Sequence, residues 1–197
     1  MDSQFGICGD DWVIIVADTD VNRSIFNLKA DQDKIVQINQ YKVLGCTGEV
    51  ADTSVFSNLM CRNLQLEELR TGHEPSVEAT ANFLRSEIDG SFRNRGGPFM
   101  VNCLMGGYDL AEKQAKLYWI DYVGTLQQVT KGAHGYAGYF VNSVLDNNYK
   151  QGMSLEEGLD ACRKCILELK TRFIINQHNY VAKIVTADGV TVEPLTL

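Results

Sequence analysis

The sequence predicts an α+β fold in four layers, αββα: two stacked, largely antiparallel sheets with a pair of helices outside each. Three observations predict it. Strand-like and helix-like segments come in blocks, in the order strands, two helices, strands, two helices, strands, and sheets and helices that each carry one apolar face bury those faces in layers. Val13 to Ala17, within WVIIVAD, is a continuous apolar run flanked by Asp10-Asp11 and Asp18, as a strand covered on both faces requires. Two segments later in the chain show helical apolar spacing behind a capping serine.

The elements follow in order. A first strand starts at the N-terminus and carries Cys8 far along it. Val13 to Ala17 forms the buried strand, and Lys34 to Ile38 and Val43 to Cys46 form two short ones turning at Asn39-Gln40. From about Val50 to Arg70, Val55, Phe56, Leu59, Met60, Leu66 and Leu69 predict the inner face of a helix that Gly72 ends. Ser76 caps the next helix, whose inner face is Val77, Ala81, Leu84, Ile88 and Phe92, and Gly96-Gly97-Pro98 stops it. Phe99 to Tyr108, Leu117 to Tyr122 and Leu126 to Val129 make the second strand block. Tyr136 to Asn148 is a helix with Phe140, Val141, Val144 and Leu145 inward. Ser154 and Glu157 form a capping box ahead of a stripe of Leu155, Leu159, Cys162, Ile166, Leu169 and Phe173. Tyr180 to Val185 and Val190 to Glu193 close the chain as a hairpin turning at Asp188-Gly189.

The 197 residues, 45% hydrophobic and 22% charged, hold no linker, repeat or low-complexity tract, so one domain over residues 1–197 is expected. Net charge is −7 without any long like-charge run, which excludes nucleic acid and anionic membrane surfaces as expected partners. The first residues, MDSQFGICGDDW, have neither the basic nor the apolar region of a signal peptide. No stretch reaches the roughly 18 apolar residues of a membrane span. The cysteines Cys8, Cys46, Cys61, Cys103, Cys162 and Cys165 are therefore read as reduced thiols in cytoplasm and nucleus.

Cys162 and Cys165 have redox spacing but fall mid-helix, away from the N-terminal dipole that activates such pairs, with Cys162 in the apolar stripe. Core packing is the preferred reading, and a thiol redox protein the alternative from another class. His73, His134 and His178 lack ligand spacing to the cysteines, so no metal site is expected. The glycines near Gly106-Gly107 and Gly132 to Gly138 form no phosphate loop. No cofactor is expected.

Four segments, WVIIVADT, DKIVQIN ahead of LGCTGEVAD, MGGYD before LYWIDYVG, and KGAHGYAG before a helix, occur in an order and at separations that resemble the β subunits of the 20S proteasome core particle, members of the N-terminal-nucleophile hydrolases. The likeness covers essentially the whole chain. It implies an exposed N-terminal threonine in active members, whose own amine serves as base, with an aspartate, a lysine and a glycine amide supporting it. Asp18, Lys34 and Gly48 match those three. The nucleophile does not match: the position 32 residues ahead of Lys34 is Asp2. Ser3 is one residue on, turned by the strand period to the opposite face, and no propeptide is expected before the first strand.

Ala133-His134-Gly135, Phe173 and Asn176 stand where active members keep a serine, an aspartate and a second serine. The chain is most similar to the non-catalytic subunit at the beta-four ring position, with Asp18, Lys34 and Gly48 as vestiges of a site or, for the charged pair, as structural partners. The resemblance implies partners in the same and the opposite β ring and in the α ring, and unfolded polypeptides as substrates cut elsewhere in the particle. The alternative within this class is a peptidase trimmed to Ser3.

Overall fold

The computed structural model describes residues 2–23, 26–94 and 96–195. Its strands are β1 (Ser3–Cys8), β2 (Trp12–Asp18), β3 (Val21–Arg23), β4 (Phe26–Lys29), β5 (Ile35–Asn39), β6 (Lys42–Gly48), β7 (Val101–Asp109), β8 (Gln114–Ile120), β9 (Leu126–Val129), β10 (Lys131–Gly135), β11 (Tyr180–Thr186) and β12 (Gly189–Leu195). The helices are α1 (Val50–Thr71), α2 (Val77–Ser91), α3 (Gly138–Asn148) and α4 (Leu155–Arg172). One sheet runs β10-β1-β2-β11-β12 and the other β5-β6-β7-β8-β9, with β3 and β4 as a separate hairpin. All described pairings are antiparallel.

Three apolar clusters give the layers. Phe5, Ile7, Ile14 and Val16 of the first sheet pack with Val141, Leu145, Leu159 and Ile166 of α3 and α4. Leu44, Cys46, Cys103 and Met105 of the second sheet pack with Phe56, Met60, Leu84 and Ile88 of α1 and α2. Val13, Ile15, Val43, Leu104 and Leu117 fill the space between the sheets. Consecutive strand residues point to opposite faces, so β2 is buried throughout because it feeds two of these clusters at once. The expected αββα sandwich is the observed one. Among the described residues, no helix is long and apolar enough to cross a membrane.

The local signals act where expected at α2 and α4. The Ser76 hydroxyl accepts from the Ala79 amide, and Ser154 and Glu157 form the reciprocal capping box. Gly72 closes α1 in the left-handed region, at φ 68°, where glycine alone is free of Cβ strain.

Four details differ from expectation. On α1, Val55, Leu59, Leu66 and Leu69 are exposed, and the buried face is Phe56, Ser57, Met60, Cys61 and Leu64. The helix carries two apolar stripes, and the expected face mixed them. Phe92 lies beyond the end of α2 and is exposed. The hairpin turns sit one residue away from the expected pairs, at Gln40-Tyr41 and at Ala187-Asp188, because Asn39 pairs with Lys42 and Thr186 with Gly189. Finally, β3, β4 and β10 are additional strands. KGAHG of β10 has no strand-like composition, and its pairing with β1, Ser3 to Gly135 through Ile7 to Lys131, makes it one.

Candidate functional site

Asp2 precedes β1, Asp18 ends β2 and Lys34 precedes β5. These three elements bring to one point residues that lie far apart in sequence. The Lys34 Nζ donates to Asp2 Oδ1 at 2.8 Å, to Asp18 Oδ2 at 2.8 Å and to the Asp20 carbonyl at 2.7 Å. An ammonium has three protons, and here each has an acceptor. Asp18 is fully buried. Its Oδ1 accepts from the Ser3 amide at 2.7 Å, and its Oδ2 also accepts from the Asp20 amide at 3.1 Å. Burial pushes the Asp18 carboxyl above its ordinary value, and the Lys34 ammonium and the Ser3 amide pull it back.

The backbone holds Asp2 from the other side. Its carbonyl accepts from the Tyr136 amide at 3.0 Å. Gly135, at φ 68°, lies so close that a Cβ there would stand 2.2 Å from the same oxygen. Asp2, Lys34, Cys46 and Gly48 border a cavity of about 380 Å³ that Asn22, Ser54, Ser57 and Asn58 help to line. Gly48 ends β6 at φ 141°, with the Met100 carbonyl 2.1 Å from where its Cβ would be.

Ser3 faces elsewhere. It alternates with Gln4 along β1 and shares its face with Phe5 and Ile7, which pack toward α3 and α4. Its side chain is buried, and its hydroxyl has no hydrogen-bond partner among the described residues. Asp2, just ahead of β1, and not Ser3, is therefore the side chain that borders the cavity.

The remaining candidates fall outside this constellation. His134 is buried between the sheets, stacked on Trp119 with centroids 4.6 Å apart, and its Nε2 lies 3.0 Å from the Cys103 carbonyl. Burial pushes its pKa down to about 4, which keeps the ring neutral. Phe173 stacks on Tyr136 at 5.6 Å and meets Phe140 at 5.7 Å, and Asn176 pairs with His178. Cys162 and Cys165 are closed inside the α4 cluster. Burial raises both thiols, Cys165 to about 12, the reverse of an activated redox pair. Among the described residues, no group of three or more His, Cys, Asp or Glu side chains is arranged to hold a metal ion.

Two participants were not legible beforehand. The Asp20 carbonyl is backbone and leaves no side-chain signal. Cys46 reaches the cavity through the β6 register, although its alternation with Leu44 on the α1 side could have flagged it.

Residues 2–185 match the sequence profile of the family described as proteasome subunit. The chain is 41% identical over 189 residues to "Proteasome subunit beta type-2-B" of Arabidopsis thaliana, covering 96% of this chain and 94% of that one. It is 39% identical to "Proteasome subunit beta type-2" of Dictyostelium discoideum, covering 92% and 91%. To "Proteasome subunit beta type-4" of Saccharomyces cerevisiae it is 38% identical, covering 96% of both. The relatives carry two type numbers, so their names alone assign no ring position.

Proposed function

The chain belongs to the proteasome subunit family, as a β subunit, and from that premise we propose that it is a non-catalytic member of the 20S core. It builds the β ring and the wall of the degradation chamber without cutting peptides itself. The observation that carries this reading is the Asp2 carboxylate on Lys34, 32 positions ahead of it. A carboxylate there provides no hydroxyl to attack a peptide carbonyl. It also engages the third proton of an ammonium that already serves Asp18 and the Asp20 carbonyl. Asp18, Lys34 and Gly48 then act as structure: the charged pair holds the start of β1 against β2, and Gly48 permits the close approach to Met100.

Two further features support it. The positions at which the resemblance expects an aspartate and a serine after the last helix hold Phe173, in an aromatic stack with Tyr136, and Asn176. The hydroxyl of Ser3 faces the α3–α4 layer rather than the cavity. In this reading the partners are β subunits of the same and the opposite ring and subunits of the α ring. Unfolded polypeptides are cut at neighbouring sites, in cytoplasm and nucleus.

The test is made on the native particle. A peptide electrophile directed at amino-terminal hydroxyl residues is added, and each chain is then analysed by intact mass and N-terminal sequencing. The expected result is labelling of other β chains while this one stays unmodified and retains Asp2. An adduct on this chain, or a mature form that begins at Ser3, would overturn the proposal.

A further inference from the structure

Cys46 in β6 and Cys103 in β7 are direct cross-strand partners, with their sulfurs 3.6 Å apart. The backbone decides what kind of partners they are. The Cys46 amide donates to the Lys34 carbonyl, on the β5 side, at 3.2 Å. The amide and carbonyl of one strand residue point the same way, so Cys46 forms no ladder bonds toward β7. The two cysteines are a non-hydrogen-bonded pair. Such pairs hold their Cα atoms about 4.5 Å apart with side chains close together, inside the range of roughly 4.4–6.8 Å that a disulfide spans. Side-chain rotation is enough to close the bond.

Both cysteines are buried, but they differ in position. Cys46 borders the cavity that also reaches Asp2, Lys34 and Gly48, whereas Cys103 is fully buried behind it. A thiol at a cavity wall with a second thiol in bonding reach allows the first to be oxidised and the second to resolve it. Cys162 and Cys165, by contrast, are both fully buried inside the α4 cluster.

We propose that Cys46 and Cys103 are an oxidant-responsive pair, in which a hydroperoxide entering the cavity oxidises Cys46 and Cys103 then closes a cross-strand disulfide. In the first step the Cys46 sulfur attacks one peroxide oxygen and the O–O bond breaks. Cys46 becomes a sulfenic acid, and the other oxygen leaves as water, or as the alcohol of an organic hydroperoxide. In the second step the Cys103 sulfur attacks the sulfenic sulfur, and the displaced hydroxide leaves as water with the Cys103 proton. Two thiols are oxidised and one peroxide is reduced. The hydrogen bond with Cys103, and then burial, raise the Cys46 thiol, so the first step is slower than at an exposed cysteine. The pair therefore responds to sustained rather than brief exposure.

The native particle is treated with graded hydrogen peroxide, quenched with iodoacetamide, denatured and peptide-mapped for this chain. The expected product is a linked Cys46–Cys103 peptide, lighter by two hydrogens and reopened by dithiothreitol. In a Cys103→Ala particle Cys46 stops at the sulfenic acid and is captured by dimedone. The wild-type map decides the question even if that variant does not assemble. The proposal is overturned if both cysteines stay reduced at exposures that oxidise the half-exposed Met100. Linkage of Cys46 to Cys61, or overoxidation of Cys46 with Cys103 intact, overturns it equally.

Discussion

Asp2 Oδ1 lies 2.8 Å from Lys34 Nζ, and the two side chains are 18% and 9% exposed. Asp18, the second carboxylate on the same nitrogen, is 0% exposed. The ammonium thus has one partner that water can replace and one that it cannot.

That asymmetry sets the first prediction. Asp2→Asn keeps the shape and an acceptor oxygen at the rim and is expected to cost about 1 kcal/mol. Asp18→Ala leaves a buried ammonium short of its counter-charge and the Ser3 and Asp20 amides without their acceptor, which is expected to cost about 3–5 kcal/mol. Denaturant melts of the full chain measure both. Equal losses would mean that Asp2 carries as much of the charge compensation as Asp18.

The second prediction concerns pH. His134 is buried with a pKa of about 4, against an ordinary 6.5, and desolvation is the main cause. Below pH 6.5 the unfolded chain takes up a proton that the folded chain does not. The contribution of this residue is therefore fully present above pH 6.5 and is lost as pH falls toward 4. The slope within that window approaches about 1.4 kcal/mol per pH unit. Stability of wild type and His134→Gln, measured at pH 7 and pH 5, should differ in slope, with the variant flatter. Parallel curves would assign the acid sensitivity to other groups.

What was legible in the sequence depended on how local the signal was. The α4 capping box joins residues three apart, and the β2 run declares its double burial in seven consecutive residues. On α1 the period was right but its phase was not, because Leu59 and Leu66 belong to an exposed stripe beside the buried Phe56 and Met60. β10 could not be read from KGAHG, since pairing with β1 creates it. The Asp2–Lys34–Asp18 cluster was reached through spacing and family likeness. The opposition of Cys46 to Cys103, 57 residues apart, exists only once the β6–β7 register is known.

Lys183 ties the two sheets together and gives the third prediction. From β11 its ammonium reaches Asp33 Oδ2 at 2.6 Å and the Ile35 carbonyl. Ile35 lies in β5, an edge strand, and its amide donates to Asp33 Oδ1 at 2.9 Å. Lys183→Met fills the same space and leaves a carboxylate that is 57% exposed and readily hydrated. Asp33→Ala leaves a buried ammonium with one acceptor fewer and the Ile35 amide free. The aspartate change is expected to cost more, by about 1–2 kcal/mol. Melts that rank the two the other way would contradict this account of the tether.

The fourth prediction reverses a general rule. An alanine in place of a helical glycine ordinarily stabilises by about 1 kcal/mol, because glycine has more backbone freedom to lose. Gly158 is in the first turns of α4, yet a Cβ there would lie 2.3 Å from Trp12 Cη2 and within 3 Å of two further ring atoms. The indole cannot easily yield. It is 2% exposed, its Nε1 donates to the Met153 carbonyl at 3.3 Å, and Gly9 presses on its other end, with a Cβ there 2.5 Å from the ring. Steric overlap in a packed core costs about 1–3 kcal/mol, which exceeds the entropic gain. Gly158→Ala is therefore expected to lower stability by about 1–2 kcal/mol, with a shift in near-ultraviolet circular dichroism as Trp12 moves. A paired Gly158→Ala, Trp12→Phe variant should recover part of the difference relative to Trp12→Phe alone, because the smaller ring vacates the contested space. If Gly158→Ala raised the melting midpoint instead, α4 would have room over Trp12, and the close contact that positions this helix on β2 would be wrong.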